Sequence, residues 1–375
     1  MGTMTHYERI HTAMAMGKPD RVPVMCQLSG EHMERNCGIP IFEMRFNAES
    51  RAQVFLIMRE MYNFDGILLN TRMSNDWKKL YDSIKKQKTV DGDEYTFPDG
   101  RIFRQENNRF YQINLEHKAW DSGPHPLIEE INAEDVPYRY DFTDEMALHD
   151  IIVAEARRHK FSVHGEIVSP IDNLVILLGL ENTMMAFLLE PERCKALMEG
   201  YILQNTAFAK AQIDAGVDTM KISSPFVGGS FISRECYEEF VVPNERELVR
   251  QIKEYCPTIP IYTHTCGFIG DRLELLQATG IDGIECMDPP PLGDALLADA
   301  KQRVGETMFL KGNMDSVNVL LHATPEVLEE YVAQMIADGA SGGGYILSSA
   351  CSVAPEVDPE LMKMLVPLAE KYGRY

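Results

Sequence analysis

The chain alternates short apolar runs with longer segments in which apolar residues recur three and four positions apart. Short β-branched runs are typical of strands, and the longer periodic segments are typical of amphipathic helices. Their alternation predicts βα units and a parallel sheet. The predicted strands are RVPVMCQL (21–28), DGILLN (65–70), FSVHGEIV (161–168), TMKISS (219–224), PIYTHTC (260–266), GIECM (283–287), MFLKGN (308–313) and YILSSAC (345–351).

Eight predicted strands with helices between them indicate the α/β class and, within it, a (β/α)8 TIM barrel. A clear helical pattern covers 191–216, where apolar spacing is regular and Gly216 stands at the stop position. Parallel α/β barrels of this length commonly remain one domain. We therefore expect residues 1–375 to form a single barrel domain that includes an N-terminal helical segment.

A long stretch without a predicted barrel strand separates the second and third runs. It contains DGDE at 91–94 and PDGR at 98–101, which are turn signals between polar and aromatic alternations. We predict a β-hairpin excursion around residues 86–117.

Composition and charge narrow the possible ligands and partners. Apolar residues make up 45% of the chain and charged residues 25%, an ordinary globular balance. The formal charge of −21 disfavours nucleic acid or an anionic membrane surface as a partner, because both would repel the chain. The N-terminus lacks the apolar core of a signal peptide, and no run reaches the ~20 apolar residues of a membrane span, so we expect a cytoplasmic protein.

The stretch THTC places His264 and Cys266 on the same side of a strand, because side chains alternate. At the carboxyl end of a barrel strand they would face the mouth of the barrel, where a zinc ion could bind. A third ligand must come from far along the chain, and Cys351 ends the eighth run. Cys286 lies inside the sixth run and could instead belong to the core. Buried cysteines and a merely hydrogen-bonded histidine remain the alternative to a metal site.

A set of one imidazole and two thiolates leaves one zinc position open, which is typical of catalytic and not of structural zinc. Glu166 ends the third run, in VHGEIV. It could occupy the open position reversibly, or it could accept a proton.

Five longer segments carry a resemblance to a known family. They are ERIHTAMAMGKPDRVPV (8–24), GLENTMMAFLLEPERCKALM (179–198), AGVDTMKISSPFVGGSFISRECYEEFVVPNERELVRQI (215–252), THTCGFIGDRLELLQATGIDGIECMD (263–288) and LKGNMDSVNVLLHATPEVLEEYV (310–332). They resemble the uroporphyrinogen decarboxylase superfamily, and the resemblance extends over nearly the whole chain. Within that superfamily, H-x-C followed much later by a lone cysteine is similar to the zinc-containing, corrinoid-dependent methyltransferases, at His264, Cys266 and Cys351. The decarboxylases carry an arginine-rich segment after the first strand, whereas PVMCQLSGEHMERNC (23–37) has no arginine before Arg35.

The resemblance implies a (β/α)8 barrel and an O-demethylase component. This enzyme would move a methyl group from a methoxylated, aromatic donor to the cobalt(I) of a separate corrinoid-binding protein. Zinc would be held by His264, Cys266 and Cys351, with Glu166 as fourth ligand or proton handler. The chain lacks the D-x-H-x-x-G signature of a cobalamin domain, so cobalamin would arrive on that partner. The alternatives are a methylcobalamin:thiol methyltransferase of the coenzyme M type, a decarboxylase or other lyase, and a non-catalytic corrinoid or tetrapyrrole binder.

Overall fold

The computed structural model describes residues 3–107, 109–114 and 125–375, and its main element is a curled parallel sheet of seven strands. The strands lie in the order β1-β6-β7-β8-β9-β10-β11, and every neighbouring pair is parallel. In chain order the strands are β1 Gly66–Leu69, β2 Lys85–Thr89, β3 Gly92–Thr96, β4 Ile102–Glu106, β5 Arg109–Gln112, β6 Ser162–Val168, β7 Thr219–Ser223, β8 Ile261–Thr265, β9 Gly283–Cys286, β10 Phe309–Met314 and β11 Tyr345–Ser349.

Helices connect the strands of the parallel sheet, as the alternating pattern predicts. The segment expected to be helical over 191–216 forms α9, and Gly216 ends it in the left-handed conformation. The α-helices are α1 His6–Met14, α2 Gly30–Asn36, α3 Ile41–Phe46, α4 Ala48–Tyr62, α5 Trp77–Ser83, α6 Ala147–His159, α7 Pro170–Leu178, α8 Leu180–Leu189, α9 Pro191–Ala215, α10 Arg234–Cys236, α11 Val242–Tyr255, α12 Leu273–Gln277, α13 Leu297–Val304, α14 Pro325–Gly339 and α15 Pro359–Tyr372.

The first predicted strand, 21–28, differs from the prediction. It forms isolated bridges from Val24 to Leu347 and from Leu28 to Val353, and not a continuous ladder. Pro23 has no N–H to donate, and the Val24 N–H donates to the Asp65 carboxylate instead of to a strand carbonyl. After Asp65, a small cavity of about 30 Å³ lies between segment 26–28 and β1, and residues of both line it. Segment 21–28 therefore does not form an eighth continuous strand, and the parallel sheet is not fully closed here.

The predicted hairpin around 86–117 is part of a larger element. Strands β2 to β5 form a four-stranded antiparallel sheet in sequence order. Its aromatic side chains pack against α3, where Phe42 stacks on Tyr95 with ring centroids 3.9 Å apart. Residues 108 and 115–117 of the predicted hairpin lie outside the described residues.

The inside of the parallel sheet is arranged in layers. The lowest layer is apolar: Met25, Leu68, Tyr262, Phe309 and Ile346 form one buried cluster, which helix α1 covers from below. Two positions further along their strands stand polar residues, including Lys311 and His264. Charged side chains and candidate metal ligands therefore lie towards the carboxyl ends of the strands, where barrel enzymes carry their active sites.

Within the described part of the chain, no single helix is both long and apolar enough to cross a bilayer. Helices α7 and α8 reach the required length and composition only when taken together, and a bend of 113° separates them.

Candidate metal centre

His264 and Cys266 lie at the carboxyl end of β8, as the alternation along that strand requires. The imidazole Nε2 is 3.2 Å from the Cys266 Sγ. Both side chains are largely withdrawn from solvent, and the His264 residue is only 4% exposed. A histidine nitrogen and a sulfur therefore point to the same small volume at the edge of the sheet.

Two further thiols reach this volume from other strands. The Cys351 Sγ, just after β11, is 3.9 Å from the Cys266 Sγ. Cys286, the last residue of β9, has its sulfur within 4.8 Å of the His264 and Cys266 ligand atoms. Its backbone has a φ of 79°, which is rare for a residue with a side chain and is most often retained at functional sites.

The thiols form a hydrogen-bonded group that favours a thiolate at Cys266. Hydrogen bonds from Cys286 first, and then from Cys351, lower the pKa of the Cys266 thiol. Burial raises the pKa of Cys286 well above its ordinary range. The hydrogen bond to Cys266, followed by burial, raises the pKa of Cys351. The charge of Lys221 lowers the pKa of Cys266 further, and the thiolate is the form that binds metals.

Glu285, on the neighbouring strand β9, orients the imidazole. His264 Nδ1 donates to Glu285 Oε2 over 3.0 Å, and this contact directs Nε2 towards the Cys266 sulfur. Burial disfavours the Glu285 carboxylate, but Lys221 and then Lys311 outweigh it and hold the pKa of Glu285 well below its ordinary range. Lys221 Nζ is 3.2 Å from Glu285 Oε2, and Lys311 pairs with the other oxygen.

Glu166 lies on β6, one strand beyond Lys221. Its Oε2 is 2.9 Å from Lys221 Nζ, so Lys221 and Glu285 connect Glu166 to the candidate ligand His264. It is not one of the three residues whose ligand atoms lie mutually within 4.8 Å. The Glu166 side chain is 17% exposed and lines a cavity of about 310 Å³. Its position suits contact with a ligand in that cavity.

The donor atoms fit zinc in type and spacing. Zinc in proteins prefers thiolate sulfur and imidazole nitrogen in tetrahedral arrangement, with zinc–sulfur bonds of about 2.3 Å. A tetrahedron with such bonds has sulfur–sulfur edges of roughly 3.8 Å, and the Cys266 and Cys351 sulfurs are 3.9 Å apart. The separation of the Cys266 and Cys351 sulfurs therefore suits zinc. Among the described residues, the three whose ligand atoms lie mutually within 4.8 Å are His264, Cys266 and Cys286.

The sequence analysis did not single out Glu285, Lys221 or Lys311, although a signal was present. Both lysines interrupt apolar strand runs, in TMKISS and MFLKGN. Lysine is almost never fully buried unless it is paired, so each one indicates a carboxylate nearby. Cys286 was left open between core and ligand, and its sulfur lies beside those of the candidate site.

The family of this chain follows from the comparison with known proteins. Residues 128–372, which include all the candidate ligands, match the family model described as uroporphyrinogen decarboxylase (URO-D). The chain belongs to this family. This identification agrees with the resemblance seen in the sequence.

The curated relatives include both decarboxylases and methyltransferases. A uroporphyrinogen decarboxylase of Ruthia magnifica is 30% identical over 169 residues, covering 44% of this chain and 46% of the relative. The methylated-thiol–coenzyme M methyltransferase of Methanosarcina mazei is 28% identical over 178 residues, covering 48% and 44%. The methylcobamide:CoM methyltransferase of the same organism is 28% identical over 170 residues, covering 45% and 46%. The chain thus spans about half the length of the curated relatives it matches.

A solved structure supports the fold over nearly the whole chain. The chain superposes on a methyltransferase from Methanosarcina mazei with a TM-score of 0.73, covering 98% of this chain and 99% of that one. The sequence identity is 16%, so this likeness describes the fold alone.

Proposed function

We propose that this chain is a zinc-dependent methyltransferase, an O-demethylase component that moves a methyl group from a methoxylated aromatic donor to the cobalt(I) of a separate corrinoid protein. The observation that carries the proposal is the approach of His264, Cys266 and Cys351 at the edge of the sheet, with contacts of 3.2 and 3.9 Å. The names of two curated relatives, which act on methylated thiols and methylcobamides, add support. We also propose that segment 21–28 fills the eighth strand position of a (β/α)8 barrel. The single-domain organisation and the cytoplasmic location stay predictions.

Each residue of the site has a role in this proposal. His264, Cys266 and Cys351 would hold the metal, and Glu285 keeps the imidazole in the tautomer that presents Nε2. Zinc, when bound, supplies a Lewis acid that stabilises negative charge on the donor oxygen. The oxygen that loses its methyl group must end with a proton, and Glu166 would supply it. In support, Glu166 pairs with Lys221 and lines the cavity.

The proposal is tested by an anaerobic methyl-transfer assay. The zinc-loaded protein is mixed with a reduced corrinoid protein and a methoxybenzene derivative, and the cobalt(I) absorbance is followed. We expect the absorbance to fall only when all three components are present. A corrinoid spectrum unchanged across a panel of methoxylated aromatics would reject the O-demethylase assignment.

Glu166 is tested separately in the same assay. Glu166→Gln removes the carboxyl group that can carry the proton but keeps the shape, so we expect turnover to fall by about 10²–10⁴-fold, the usual contribution of a general acid or base. Zinc content distinguishes its two candidate roles, since a fourth ligand would also change metal affinity. Full turnover with full zinc content would remove Glu166 from the mechanism.

A second candidate function uses the same site in the opposite direction. The relatives described as coenzyme M methyltransferases favour transfer of a methyl group from a methylated corrinoid to a thiol. Incubation with methylcobalamin and 2-mercaptoethanesulfonate tests it directly, since formation of the methyl thioether requires no methoxylated donor. Carbon dioxide release from a carboxylated substrate by chelator-treated protein would instead favour the decarboxylase alternative.

A further inference from the structure

The cavity beside Glu166 contains two arginines. It lies at the carboxyl ends of β1 and β6, has a volume of about 310 Å³, and is lined by residues that include Asn70, Arg72, Arg139, Glu166 and Asn173. Arg72 follows β1 by three residues, so it stands at the edge of the sheet where barrel enzymes bind their ligands.

Aromatic rings hold both guanidinium groups in place. The Arg72 Cζ lies 5.1 Å from the centroid of the Phe208 ring and 5.4 Å from that of Phe142. The Arg139 Cζ lies 4.7 Å from the Phe142 centroid. Stacking on rings fixes the plane of a guanidinium without neutralising its charge. The two cations are therefore positioned before any ligand binds.

The nearby carboxylates leave part of Arg72 available. Glu145 is shared, because it pairs with Arg72 Nε and with Arg139 Nη1, the latter at 2.6 Å. Arg139 also pairs with Asp144. Among the described residues, none accepts a hydrogen bond from the two terminal nitrogens of Arg72, whose side chain is 46% exposed. A fork of two N–H donors is suited to a carboxylate or a sulfonate.

The distance from the arginines to the candidate metal centre limits the ligand. Strands of a sheet lie about 4.8 Å apart, so β6 and β8 are separated by roughly 10 Å along the sheet. A small organic anion with a spacer can place its charged group near Arg72 and its reacting atom towards Glu166 and His264. An aromatic ring between the two groups spans more of this distance than a two-carbon chain.

We propose that Arg72, assisted by Arg139, binds the anionic group of the small molecule on which the enzyme acts, a carboxylate or a sulfonate. Arg72 is a specificity-determining residue in this view, because a neutral analogue could not form charge-assisted hydrogen bonds with its terminal nitrogens. The identity of the reacting end rests on the proposed function. The anion site itself rests on the arginines and the cavity.

Binding is measured by calorimetry on the zinc-loaded protein without a corrinoid partner. The probes form two pairs: 4-methoxybenzoate with methoxybenzene, and 2-mercaptoethanesulfonate with 2-mercaptoethanol. We expect the anion of at least one pair to bind at least tenfold more tightly than its neutral partner. The pair that shows the preference identifies the source of the anion, an aromatic acid or a sulfonated thiol.

Three variants test the assignment to Arg72. Arg72→Gln is expected to weaken binding of the anion about 10–100-fold, the range for loss of a charge-assisted hydrogen bond, and to leave the neutral partner unchanged. Glu145→Gln is expected to strengthen anion binding, because it removes the competing carboxylate. Arg45→Gln is the matched control: Arg45 is 43% exposed, pairs with Glu34 at 2.9 Å and stacks over Phe110 at 5.5 Å, but is not part of the cavity. It should bind the anion as the wild type does.

The outcomes separate this site from the proposed function. Equal binding of charged and neutral probes by the wild type, or equal anion binding by the wild type and Arg72→Gln, would overturn the anion site. Anion binding that depends on Arg72, together with no methyl transfer to any corrinoid, would leave the anion site standing and overturn the methyltransferase. Circular dichroism of each variant excludes loss of the fold as the cause of weaker binding.

Discussion

At the scale of single residues, Glu285 joins the candidate metal centre to the charges inside the sheet. It accepts a hydrogen bond from His264 and pairs with both Lys221 and Lys311. The residue is 1% exposed, so these contacts replace nearly all of its hydration. A buried carboxylate with a histidine and two lysines as partners fixes the position of each of them.

Replacing Glu285 by glutamine tests this role. Glu285→Gln keeps the volume but removes the charge that orients His264, and we expect zinc affinity to fall about 10–100-fold, as is typical when the partner of a metal-bound histidine is lost. Competition with a chromophoric chelator gives the affinity. Glu94→Gln, which breaks an ion pair with Arg104 on the four-stranded sheet, is the control and should bind zinc normally. Equal zinc affinity in the two variants would show that Glu285 does not act on the metal centre.

The positions of these residues depend partly on strand alternation, which the sequence shows, and partly on strand register, which it does not. The alternation along a strand is sufficient to place His264 and Cys266 on one face. The partners of Lys221 and Lys311 could not be read in this way, because they depend on strand register, which sets Lys221 opposite Glu166 and Lys311 opposite Glu285. The metal-ligand roles themselves stay predictions until metal content is measured.

At the scale of elements, helices α7 and α11 are linked by a pair of buried carboxyl groups. Asp172 accepts from Ser169 Oγ over 2.5 Å, and Glu245 Oε1 accepts from Ser224 Oγ over 2.8 Å. Burial raises the pKa of Asp172 to about 7 and that of Glu245 to about 7, and these serine hydrogen bonds only partly oppose the shift. The fold therefore holds protons on these groups at pH values where the unfolded chain has released them.

This pair predicts that stability depends on pH. Ordinary carboxyl pKa values are near 4, so the unfolded chain binds fewer protons between about pH 4 and 7, and stability falls as the pH rises through that range. Glu245→Gln should remove the part of this stability loss that Glu245 causes, at most roughly 3 kcal/mol. The gain in unfolding free energy of the variant over the wild type should therefore be larger at pH 8 than at pH 5. Urea unfolding at both pH values measures the effect.

A control on the same helix keeps the pH prediction specific. Glu254 is exposed near the end of α11 and pairs with Arg250. Glu254→Gln should leave the difference in unfolding free energy between pH 5 and pH 8 as in the wild type. If Glu245→Gln shows the same difference as the wild type, the buried pair is not the source of the pH dependence.

Secondary-structure elements were predicted correctly where the local sequence signals agree, and wrongly where tertiary contacts determine the backbone pairing. Seven of the predicted runs form strands of the parallel sheet, and the turn signals near 91–101 mark turns of the four-stranded sheet. The run 21–28 is apolar enough for a strand, but Pro23 and the bond from Val24 to Asp65 prevent a regular ladder. The size of the small sheet was underestimated because its strands are only four or five residues long, too short to be separated by their sequence patterns.

At the scale of the whole molecule, the candidate metal centre joins parts of the chain that are distant in sequence. Cys266 and Cys351 are 85 residues apart, and both lie in the part that matches the URO-D family, 128–372. Arg72 and the four-stranded sheet precede that part. The candidate ligands thus come from the family region, whereas one wall of the cavity comes from the preceding segment.

Because the ligands meet only in the folded chain, zinc should stabilise the whole molecule. At free zinc 100-fold above the dissociation constant, a ligand that binds only the native state adds about 2.7 kcal/mol to the unfolding free energy. We expect the unfolding free energy of the wild type to rise with free zinc, set by a metal buffer, and to fall on chelation.

About one zinc per chain should be found in anaerobically purified protein. The double variant Cys266→Ser, Cys351→Ser should contain none and unfold independently of zinc, because it lacks both thiolates. If the unfolding free energy of this variant depended on zinc as that of the wild type does, the metal would bind elsewhere in the chain. The chemistry proposed for this edge of the sheet would then be wrong.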